Sequence, residues 1–506
     1  MRTSCLVALL AGALNVLSFA PFHLWPLQPL SLALIFLLSV QRDHWSVRQL
    51  ALLGASYGFA TLFFGVSWLL VAMTRYGGLP VWLALVGLML LAGYLASYAG
   101  AALAAAQYLR QRWKLPAQPM LLLLLPALWT LSEWLRGLLF TGFPWLVSGY
   151  AHSNSPLSGY AALLGVYGVG WLSAIIAAAL ALTMAQRAHR FKLLSLVVVL
   201  LLLGLALRQH VWTQDYGQPI SVRLLQGNVD QAIKFDAEHI SESLALYHDM
   251  IVAEPADLIA APETALPLLS SQLPVDYLPL LNSFAQASAS RVIVGLGVHD
   301  GENRYSNSVL GFGSEYASQA YRYDKHHLVP FGEFVPVGFH WFIQMMRIPL
   351  GDFSSAGVLQ AAMHVKDQLV LPNICYEDLF GEEIAHQLAQ QDASKEGAAT
   401  ILLNVSNLAW YGDSIAIPQH LQISQMRVLE TGRPMLRATN TGATAVINAR
   451  GEIVAQLEPL TKGSLHANVQ GQRGMTPYIL LGNAGIIVLA LLSLLIAYLQ
   501  SNRRVA

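Results

Sequence analysis

Three residues in the second half of the chain have side chains that together could catalyse acyl transfer. Glu263, Lys325 and Cys375 each follow a short β-rich run, at 257–261, 319–323 and 368–374 respectively. Strand ends in layered α/β folds hold side chains rigidly beside a crevice, so these three groups are expected to converge. A carboxylate can act as a general base, a thiol as a nucleophile, and an ammonium as a stabiliser of an oxyanion or thiolate. The ammonium should also help to lower the pKa of the thiol.

Each of the three residues also has an ordinary structural interpretation. A free cysteine is most often a small buried hydrophobic group, a lysine can be a surface charge, and Glu263 could cap a helix. Their shared placement at strand ends favours the catalytic interpretation for the set. The other cysteine, Cys5, lies in a distant apolar run, so a disulfide with Cys375 is not expected.

The region around these residues alternates β-rich runs with helical stretches, which is typical of an α/β layered domain. Several of the runs are apolar throughout, as expected for a sheet that is covered on both faces. Further strands are predicted at 221–225, 291–298, 306–312, 400–405 and 443–448, and helices at 237–253, 275–289, 380–391 and 418–431.

Long apolar segments flank this domain on both sides. Charged residues make up only 11% of the chain, and the shortage is concentrated before residue 209 and after residue 475. About 20 apolar residues are needed to cross the hydrocarbon core of a bilayer. The gaps between charges therefore predict eight membrane spans, at 4–20, 27–40, 50–73, 80–108, 119–139, 159–185, 191–208 and 477–499.

Positive charges predict the orientation of these spans. Loops on the same side as the N-terminus are rich in Arg and Lys, as at 110–114, whereas the short loops on the other side hold little beyond Arg75. By the positive-inside rule, both chain termini should be cytoplasmic. The expected organisation is a seven-span region at 1–209, an extracytoplasmic catalytic domain at 210–475, and a final span with a cytoplasmic tail at 476–506.

Charge and motif content argue against several other kinds of partner. The net formal charge is zero, so nucleic acid is not indicated as a partner. The adjacent pair His326 and His327 would not converge on one metal ion in an extended segment. Gly295-Leu-Gly297 is too short a match for a phosphate-binding loop. We therefore expect neither a metal nor a cofactor.

Three segments resemble the nitrilase, or carbon–nitrogen hydrolase, superfamily, in which Glu, Lys and Cys follow strands in this order. They are Ala-Pro-Glu-Thr at 261–264, Tyr-Asp-Lys-His-His-Leu-Val-Pro-Phe-Gly-Glu at 323–333 and Ile-Cys-Tyr-Glu-Asp at 374–378. With seven spans before them and one after, they are similar to its membrane-embedded branch, the apolipoprotein N-acyltransferase family of the bacterial inner membrane. Residues 404–414 also fit that family, although Asn407-Leu408 stands where Asn-Asp is expected.

This resemblance implies a nitrilase-like αββα sandwich for the soluble domain and an acyl transfer in two steps. Cys375 would be the nucleophile, Glu263 the general base and Lys325 the oxyanion stabiliser. The implied supporting residues are Glu333, Tyr376 and Glu377, and the implied substrate-binding residues are Asn404, Trp410 and Tyr411. The donor would be a membrane phospholipid, and the acceptor would be the N-terminal amine of a diacylglyceryl-cysteine on an apolipoprotein. A thioester on Cys375 would carry the acyl chain between them, and the catalytic domain would be periplasmic.

Both of these substrates carry acyl chains, so apolar side chains are expected between the bilayer and the site. The apolar residues of 331–353 could form a lid there, or they could be ordinary core. Two other classes of function remain open. A membrane-tethered amidase or nitrilase would hydrolyse its thioester with water, but it would need only one anchor. A transporter or scaffold is disfavoured because the spans hold few charges of the kind that mark ion pathways.

Overall fold

The computed structural model describes residues 1–41, 45–186, 189–301, 304–336, 353–393 and 397–502. Contacts between residues divide the chain into two compact units. The first unit comprises Met1–Leu70, Val81–Val211 and Thr476–Ala506, and the second comprises Val71–Pro80 and Trp212–Met475.

The first unit is helical, and most of its helices are apolar around their whole circumference, which is typical of helices buried in a protein core or a membrane. Its main helices are α1 (Arg2–Asn15), α2 (Leu27–Gln41), α3 (Val47–Gly65), α4 (Val81–Arg112), α5 (Leu125–Arg136), α6 (Ala161–Ala185), α7 (Arg190–Arg208) and α12 (Ala484–Asn502). Within the described ranges, five helices are long and apolar enough to cross a membrane, namely Val47–Gly65, Val81–Arg112, Pro156–Ala185, Arg190–Arg208 and Ala484–Ser501. The predicted spans at 4–20 and 27–40 correspond to the shorter apolar helices Arg2–Ser18 and Leu27–Gln41.

Several predicted spans are interrupted in the structure, including the one at 159–185, where Gly165 has a non-helical φ of +66°. The span predicted at 50–73 ends at Gly65, and the π-helix Ala72–Tyr76 belongs to the second unit. Arg75 pairs with Asp230 at 2.9 Å and Tyr76 packs against Trp410, which fixes this segment to the second unit. The span predicted at 477–499 is divided at Gly482, whose φ of +52° ends the short helix Pro477–Leu481 before α12 begins.

The second unit contains two β-sheets. The first has the strand order β13-β1-β2-β4-β5-β6, with β3 paired to β4. Its strands are β1 (Gln214–Gln226), β2 (Leu258–Ala260), β3 (Leu266–Leu269), β4 (Arg291–His299), β5 (Tyr305–Phe312), β6 (Tyr321–Asp324) and β13 (Gly463–Arg473). The second sheet has the order β12-β11-β10-β9-β8-β7. Its strands are β7 (Met363–Val365), β8 (Gln368–Ile374), β9 (Ile401–Ser406), β10 (Met435–Thr439), β11 (Ala445–Ile447) and β12 (Ile453–Gln456).

Helices cover the two sheets of the second unit. Apolar side chains of α8 (Ala237–Val252) and α9 (Tyr277–Ala287) form one core with the first sheet. In the other half, α11 (Ala416–Thr431) contacts β10, and α10 (Gly381–Asp392) contacts α11. Since β1 contacts β8 and β10 of the opposite sheet, the layers follow the order αββα. The predicted nitrilase-like fold of the soluble domain is confirmed.

Candidate active site

The three residues singled out in the sequence meet at the ends of strands from both sheets. Glu263 follows β2, Lys325 directly follows β6, and Cys375 directly follows β8. The Lys325 ammonium Nζ lies 3.1 Å from Oε1 of Glu263 and 2.9 Å from Oε1 of Glu333. All three of these charged side chains are buried. The second unit therefore encloses two carboxylates and one ammonium beside a cysteine.

A buried asparagine, which sequence reasoning missed, joins the two carboxylates. Asn307 lies on β5, and its Nδ2 donates to Oε1 of Glu263 at 2.8 Å and to Oε1 of Glu333 at 2.6 Å. Its backbone carbonyl accepts a hydrogen bond from the Lys325 N–H at 2.8 Å. One residue thus fixes the positions of both glutamates and of the lysine backbone. The only signal in the sequence is an amide in a strand that is otherwise largely apolar.

Cys375 adopts a backbone conformation that is rare for a residue with a side chain. Its φ is +53°, in the left-handed region, at the junction between β8 and a turn of 3₁₀-helix at Cys375–Leu379. Strained conformations of this kind persist where the surroundings impose them, and they concentrate at functional sites. The charges of the Glu263 and Lys325 side chains both act on the thiol, so the three groups lie close to one another.

The electrostatic environment keeps the thiol protonated at rest. Burial raises the pKa of Cys375 above its usual range, and Glu263 adds to that effect. Lys325 lowers this pKa, as the sequence predicts, but it does not overcome burial and the two carboxylates. Burial alone would lower the pKa of Lys325, yet Glu263 and Glu333 hold it well above its usual value. A charged lysine and a neutral thiol are therefore the resting state.

Glu377 ties the nucleophile segment to the lysine segment. Its buried carboxylate accepts hydrogen bonds from the backbone N–H of Ile374 at 2.6 Å and of His326 at 2.6 Å. The Tyr323 hydroxyl also donates to it, at 3.1 Å. Tyr376, next to the nucleophile, is buried against the ring of Phe380. Glu377 thus holds together the chain segments that carry Lys325 and Cys375.

The three predicted substrate-binding residues occupy different environments. Asn404 is completely buried on β9, and its Nδ2 donates to Asn373 Oδ1 at 2.6 Å and to the carbonyl of Cys375 at 3.3 Å. Trp410 is partly exposed and packs edge-to-face on Tyr76. Burial raises the pKa of Tyr411, and Cys375 is the next largest contributor, which places the phenol beside the thiol.

The predicted lid lies partly outside the described residues. Residues 337–352 belong to the part of the chain that the structure does not describe, including Phe339, Trp341, Phe342, Met345 and Met346 of the predicted apolar set. The residues on both sides of that gap are fixed to the site. The Glu333 carbonyl accepts a hydrogen bond from Phe353 N at 2.9 Å, and the Lys325 carbonyl accepts one from Ala356 N at 3.2 Å.

Gly295 on β4 allows the Glu263 loop to approach the strand. A Cβ at this position would lie 2.5 Å from the Pro262 carbonyl oxygen and 2.8 Å from the Glu263 Cα. These are backbone atoms, so the loop would have to move as a whole. We expect Gly295→Ala to lower the rate of acyl transfer about 100-fold, because a shift of about 1 Å in a catalytic group has that effect. Gly357→Ala is the control, since its Cβ would enter open space; equal activity in the two variants would contradict this role.

Lys234 is a second buried lysine near the general base, and it has no counterpart in the sequence predictions. Its Nζ donates to the Thr264 hydroxyl at 2.7 Å, next to Glu263. Burial lowers the pKa of Lys234 to about 7, although the charge of Glu263 acts in the opposite direction. Thr264 itself has a φ of +47°, so Lys234 contacts a residue in the left-handed region adjacent to the base.

Replacing Lys234 by methionine should stabilise the protein in a pH-dependent way. Below about pH 7 the native state holds a buried ammonium at full cost, and this cost falls as the pH rises toward the ordinary lysine pKa. Lys234→Met should therefore raise the melting temperature more at pH 6 than at pH 9. Thermal unfolding at both pH values measures the difference, with the exposed Lys462→Met as the control. A gain independent of pH would contradict the assignment.

Among the described residues, no group of three or more His, Cys, Asp or Glu side chains is arranged to hold a metal ion. A carboxylate, an ammonium and a thiol at this spacing can form and break a covalent acyl–sulfur bond.

Comparison with known proteins identifies the family of the second unit. The family model described as "Carbon-nitrogen hydrolase" matches residues 221–478, about half of the chain, so this part of the chain has the fold of a carbon–nitrogen hydrolase. A second model, "Apolipoprotein N-acyltransferase N-terminal domain", matches residues 11–179.

Relatives that match almost the whole chain identify a narrower family within the carbon–nitrogen hydrolases. An apolipoprotein N-acyltransferase of Ralstonia nicotianae is 46% identical, over 99% of this chain and 94% of the relative. Those of Nitrosomonas europaea and Bordetella bronchiseptica are 43% and 40% identical, each over 97% of this chain and 96% of the relative. This chain belongs to the apolipoprotein N-acyltransferase family.

The protein is therefore a membrane acyltransferase of lipoprotein maturation. It N-acylates apolipoproteins, as the names of these relatives and the two matching family models indicate. The transporter and scaffold alternatives are wrong. The hydrolase alternative differs from this activity only in the final acceptor of the acyl chain.

Proposed function

We propose that Cys375 carries the acyl chain, with Glu263 as the general base and Lys325 as the stabiliser of the oxyanion. The observation that supports this most is the contact of Lys325 Nζ with Glu263 at 3.1 Å and Glu333 at 2.9 Å beside a protonated thiol. Two of the three ammonium N–H groups face these carboxylates, which leaves the third for a substrate oxygen. Glu333 holds the lysine in place, and Asn307 holds both glutamates.

In the first step, Glu263 takes the proton of the Cys375 thiol while the sulfur attacks the ester carbonyl of a phospholipid. Lys325 stabilises the negative charge that develops on the carbonyl oxygen. The bond between the carbonyl carbon and the glycerol oxygen then breaks, and Glu263 returns the proton to that oxygen. Lysophospholipid leaves, and the acyl chain remains on Cys375 as a thioester.

In the second step, the α-amine of diacylglyceryl-cysteine attacks the thioester carbonyl. A carbon–nitrogen bond forms and the carbon–sulfur bond breaks. Glu263 accepts the amine proton and passes it to the departing sulfur, which restores the resting thiol. The raised pKa of Cys375 supports this last proton transfer, because the released thiolate is readily protonated.

The remaining site residues fall into positioning and binding roles in this proposal. Glu377 and Tyr376 shape the turn that presents Cys375. Asn404, buried against the Cys375 carbonyl, acts on the nucleophile segment instead of touching substrate as the sequence suggests. Trp410 and Tyr411 remain candidates for contact with an acyl chain, because Trp410 is partly exposed and Tyr411 lies beside the thiol.

We also propose the topology that the charge distribution predicts. The protein would cross the bacterial inner membrane eight times, with both termini in the cytoplasm and residues 210–475 in the periplasm. Five apolar helices of spanning length and two shorter ones support this arrangement, as does the clustering of Arg and Lys in loops on one side. Phospholipid and lipoprotein would then reach the site from the outer leaflet.

Transfer to an amine is tested by mixing the purified protein with a labelled phospholipid and a diacylglyceryl-cysteine peptide. We expect labelled N-acyl peptide and one equivalent of lysophospholipid. The matched control is the same peptide with an acetylated N-terminus, which should receive no label. Labelled free fatty acid at the same rate with both peptides would instead identify a hydrolase.

A further inference from the structure

The backbone carbonyl of Cys375 is held by two buried side chains. His420 Nε2 lies 3.2 Å from this oxygen and Asn404 Nδ2 lies 3.3 Å from it. Pairing between β8 and β9 ends at Ile374, so the carbonyl lies beyond the regular ladder. The left-handed φ of Cys375 is therefore maintained by side chains of β9 and α11.

The hydrogen bonds of His420 determine which ring nitrogen carries the proton. Arg437 Nη2 lies 2.8 Å from Nδ1 of His420. A guanidinium can only donate, so Nδ1 must accept and Nε2 must carry the hydrogen. Nε2 then donates to the Cys375 carbonyl. Burial lowers the pKa of His420 well below its usual value, and Arg437 adds to this effect, so the ring stays neutral.

Arg437 is in turn fixed by the turn that carries the nucleophile. Its Nη1 lies 3.2 Å from Oδ2 of Asp378, and Ser424 hydrogen-bonds to both side chains. Asp378 stands three residues after Cys375 in the same 3₁₀ turn. The contacts therefore form a closed ring that runs from Cys375 through Asp378, Arg437 and His420 back to the Cys375 carbonyl.

The side chains of Asp378, Arg437 and His420 in this ring are completely or almost completely buried. A buried ion pair such as Arg437 with Asp378 contributes little net stability, because desolvation offsets the attraction between the charges. Its geometric effect is large, however. It fixes the plane of the guanidinium, the tautomer of the imidazole and the direction of the bond to Cys375.

From this ring we infer that His420 is a positioning residue, which acts through the Cys375 carbonyl to hold the nucleophile in its left-handed conformation. Arg437 and Asp378 set the tautomer that this task requires. The inference depends on the proposed role of Cys375. His420 neither takes nor gives a proton during turnover, and its contribution is to the rate of both acyl-transfer steps and not to the binding of phospholipid.

The test compares His420→Leu with His420→Gln, using the exposed His386→Leu on α10 as the matched control. Glutamine can accept from Arg437 and donate to the carbonyl, whereas leucine can do neither. We expect His420→Leu to lower kcat for acylation of Cys375 about 100-fold with KM for phospholipid unchanged. His420→Gln should stay within about fivefold of the wild type and keep the wild-type pH profile between pH 5 and 8.

Two results would overturn the inference. One is a wild-type kcat in His420→Leu. The other is a His420→Gln variant that loses activity together with one limb of the pH profile, which would mean that the imidazole transfers protons. If His420→Leu does not fold, His420→Gln alone decides between these outcomes. Failure of the proposed nucleophile role would be distinct, because the wild type itself would then form no adduct on Cys375.

Discussion

Cys375→Ala is expected to abolish acyl transfer while leaving the protein folded. The sulfur is the atom that would carry the acyl group, so no other described side chain at the site can replace it. The substitution removes one atom at a partly exposed position and leaves the ion pairs of Lys325 with Glu263 and Glu333 intact. The melting temperature should therefore change little, because the hydrogen bonds of Asn404 and His420 to Cys375 use its backbone carbonyl and not its sulfur.

The chain provides a matched control for this substitution in Cys5, the other free cysteine, which lies in α1. Cys5→Ala should retain full activity and should still be alkylated at Cys375. Acyl transfer would be followed as N-acylation of the diacylglyceryl-cysteine peptide, alongside thermal unfolding. Activity above a few per cent in a folded Cys375→Ala variant would show that the acyl group does not pass through this sulfur.

Lys325→Met is expected to lower the rate of Cys375 acylation by about 1,000-fold, which is the effect of removing one donor to a developing oxyanion. It should also raise the pKa of the thiol further, because Lys325 is one of the two groups that lower it. Alkylation of Cys375 by iodoacetamide should accordingly require a higher pH in the variant than in the wild type. Measurement of the alkylation rate from pH 6 to 10 tests the direction of this shift.

Lys325→Met also leaves two buried carboxylates without their counter-charge, which can destabilise a protein by about 3–5 kcal/mol. A double variant, Lys325→Met with Glu333→Gln, separates this effect from catalysis because it removes one of the negative charges. We expect the double variant to recover much of the lost thermal stability and none of the lost activity. Recovery of both thermal stability and activity would show that Lys325 serves only as a counter-ion for the carboxylates and does not stabilise the oxyanion.

Sequence patterns predicted much of the fold because the relevant signals are local. Apolar runs followed by Glu263, Lys325 and Cys375 correspond to β2, β6 and β8, and each of the four predicted helices of the soluble domain is present within a few residues. The strands that the patterns missed depend on pairing instead. β3 and β7 are only 4 and 3 residues long, and β12 is largely exposed at a sheet edge. β10 is buried between β9 and β11, although it carries the charged residue Arg437. β13 pairs with β1 from the far end of the domain.

The sequence also predicted part of the candidate site, namely the residues that are marked by a local pattern. A reactive side chain at a strand end can be recognised in the sequence, because it directly follows a β-rich run. Asn407 lies in the family-like stretch 404–414, but its contact with the base could not be predicted, because its backbone N–H is what donates to Oε2 of Glu263, at 3.0 Å. Lys234 and His420 act through contacts between distant segments, so their roles become visible only when Thr264 and the Cys375 carbonyl are in place.

The difference between local patterns and contacts of distant segments also explains why the third span was predicted to be too long. Hydropathy alone extended this span to residue 73, since residues 66–73 hold no charge. The π-helix Ala72–Tyr76 instead joins the second unit through Arg75 and Asp230, a pairing across 155 positions of sequence. No local pattern could have indicated such a contact.

The central claim, that Cys375 carries the acyl chain between two lipids, is tested most directly by mass spectrometry of the intact protein and of its Cys375 peptide. Incubation with phospholipid alone should add the mass of one acyl chain to Cys375, and none in Cys375→Ala. Addition of diacylglyceryl-cysteine peptide should then remove the adduct far faster than water does and yield N-acyl peptide. Absence of an adduct, an adduct on another residue, or discharge to water as fast as to the amine would contradict the account.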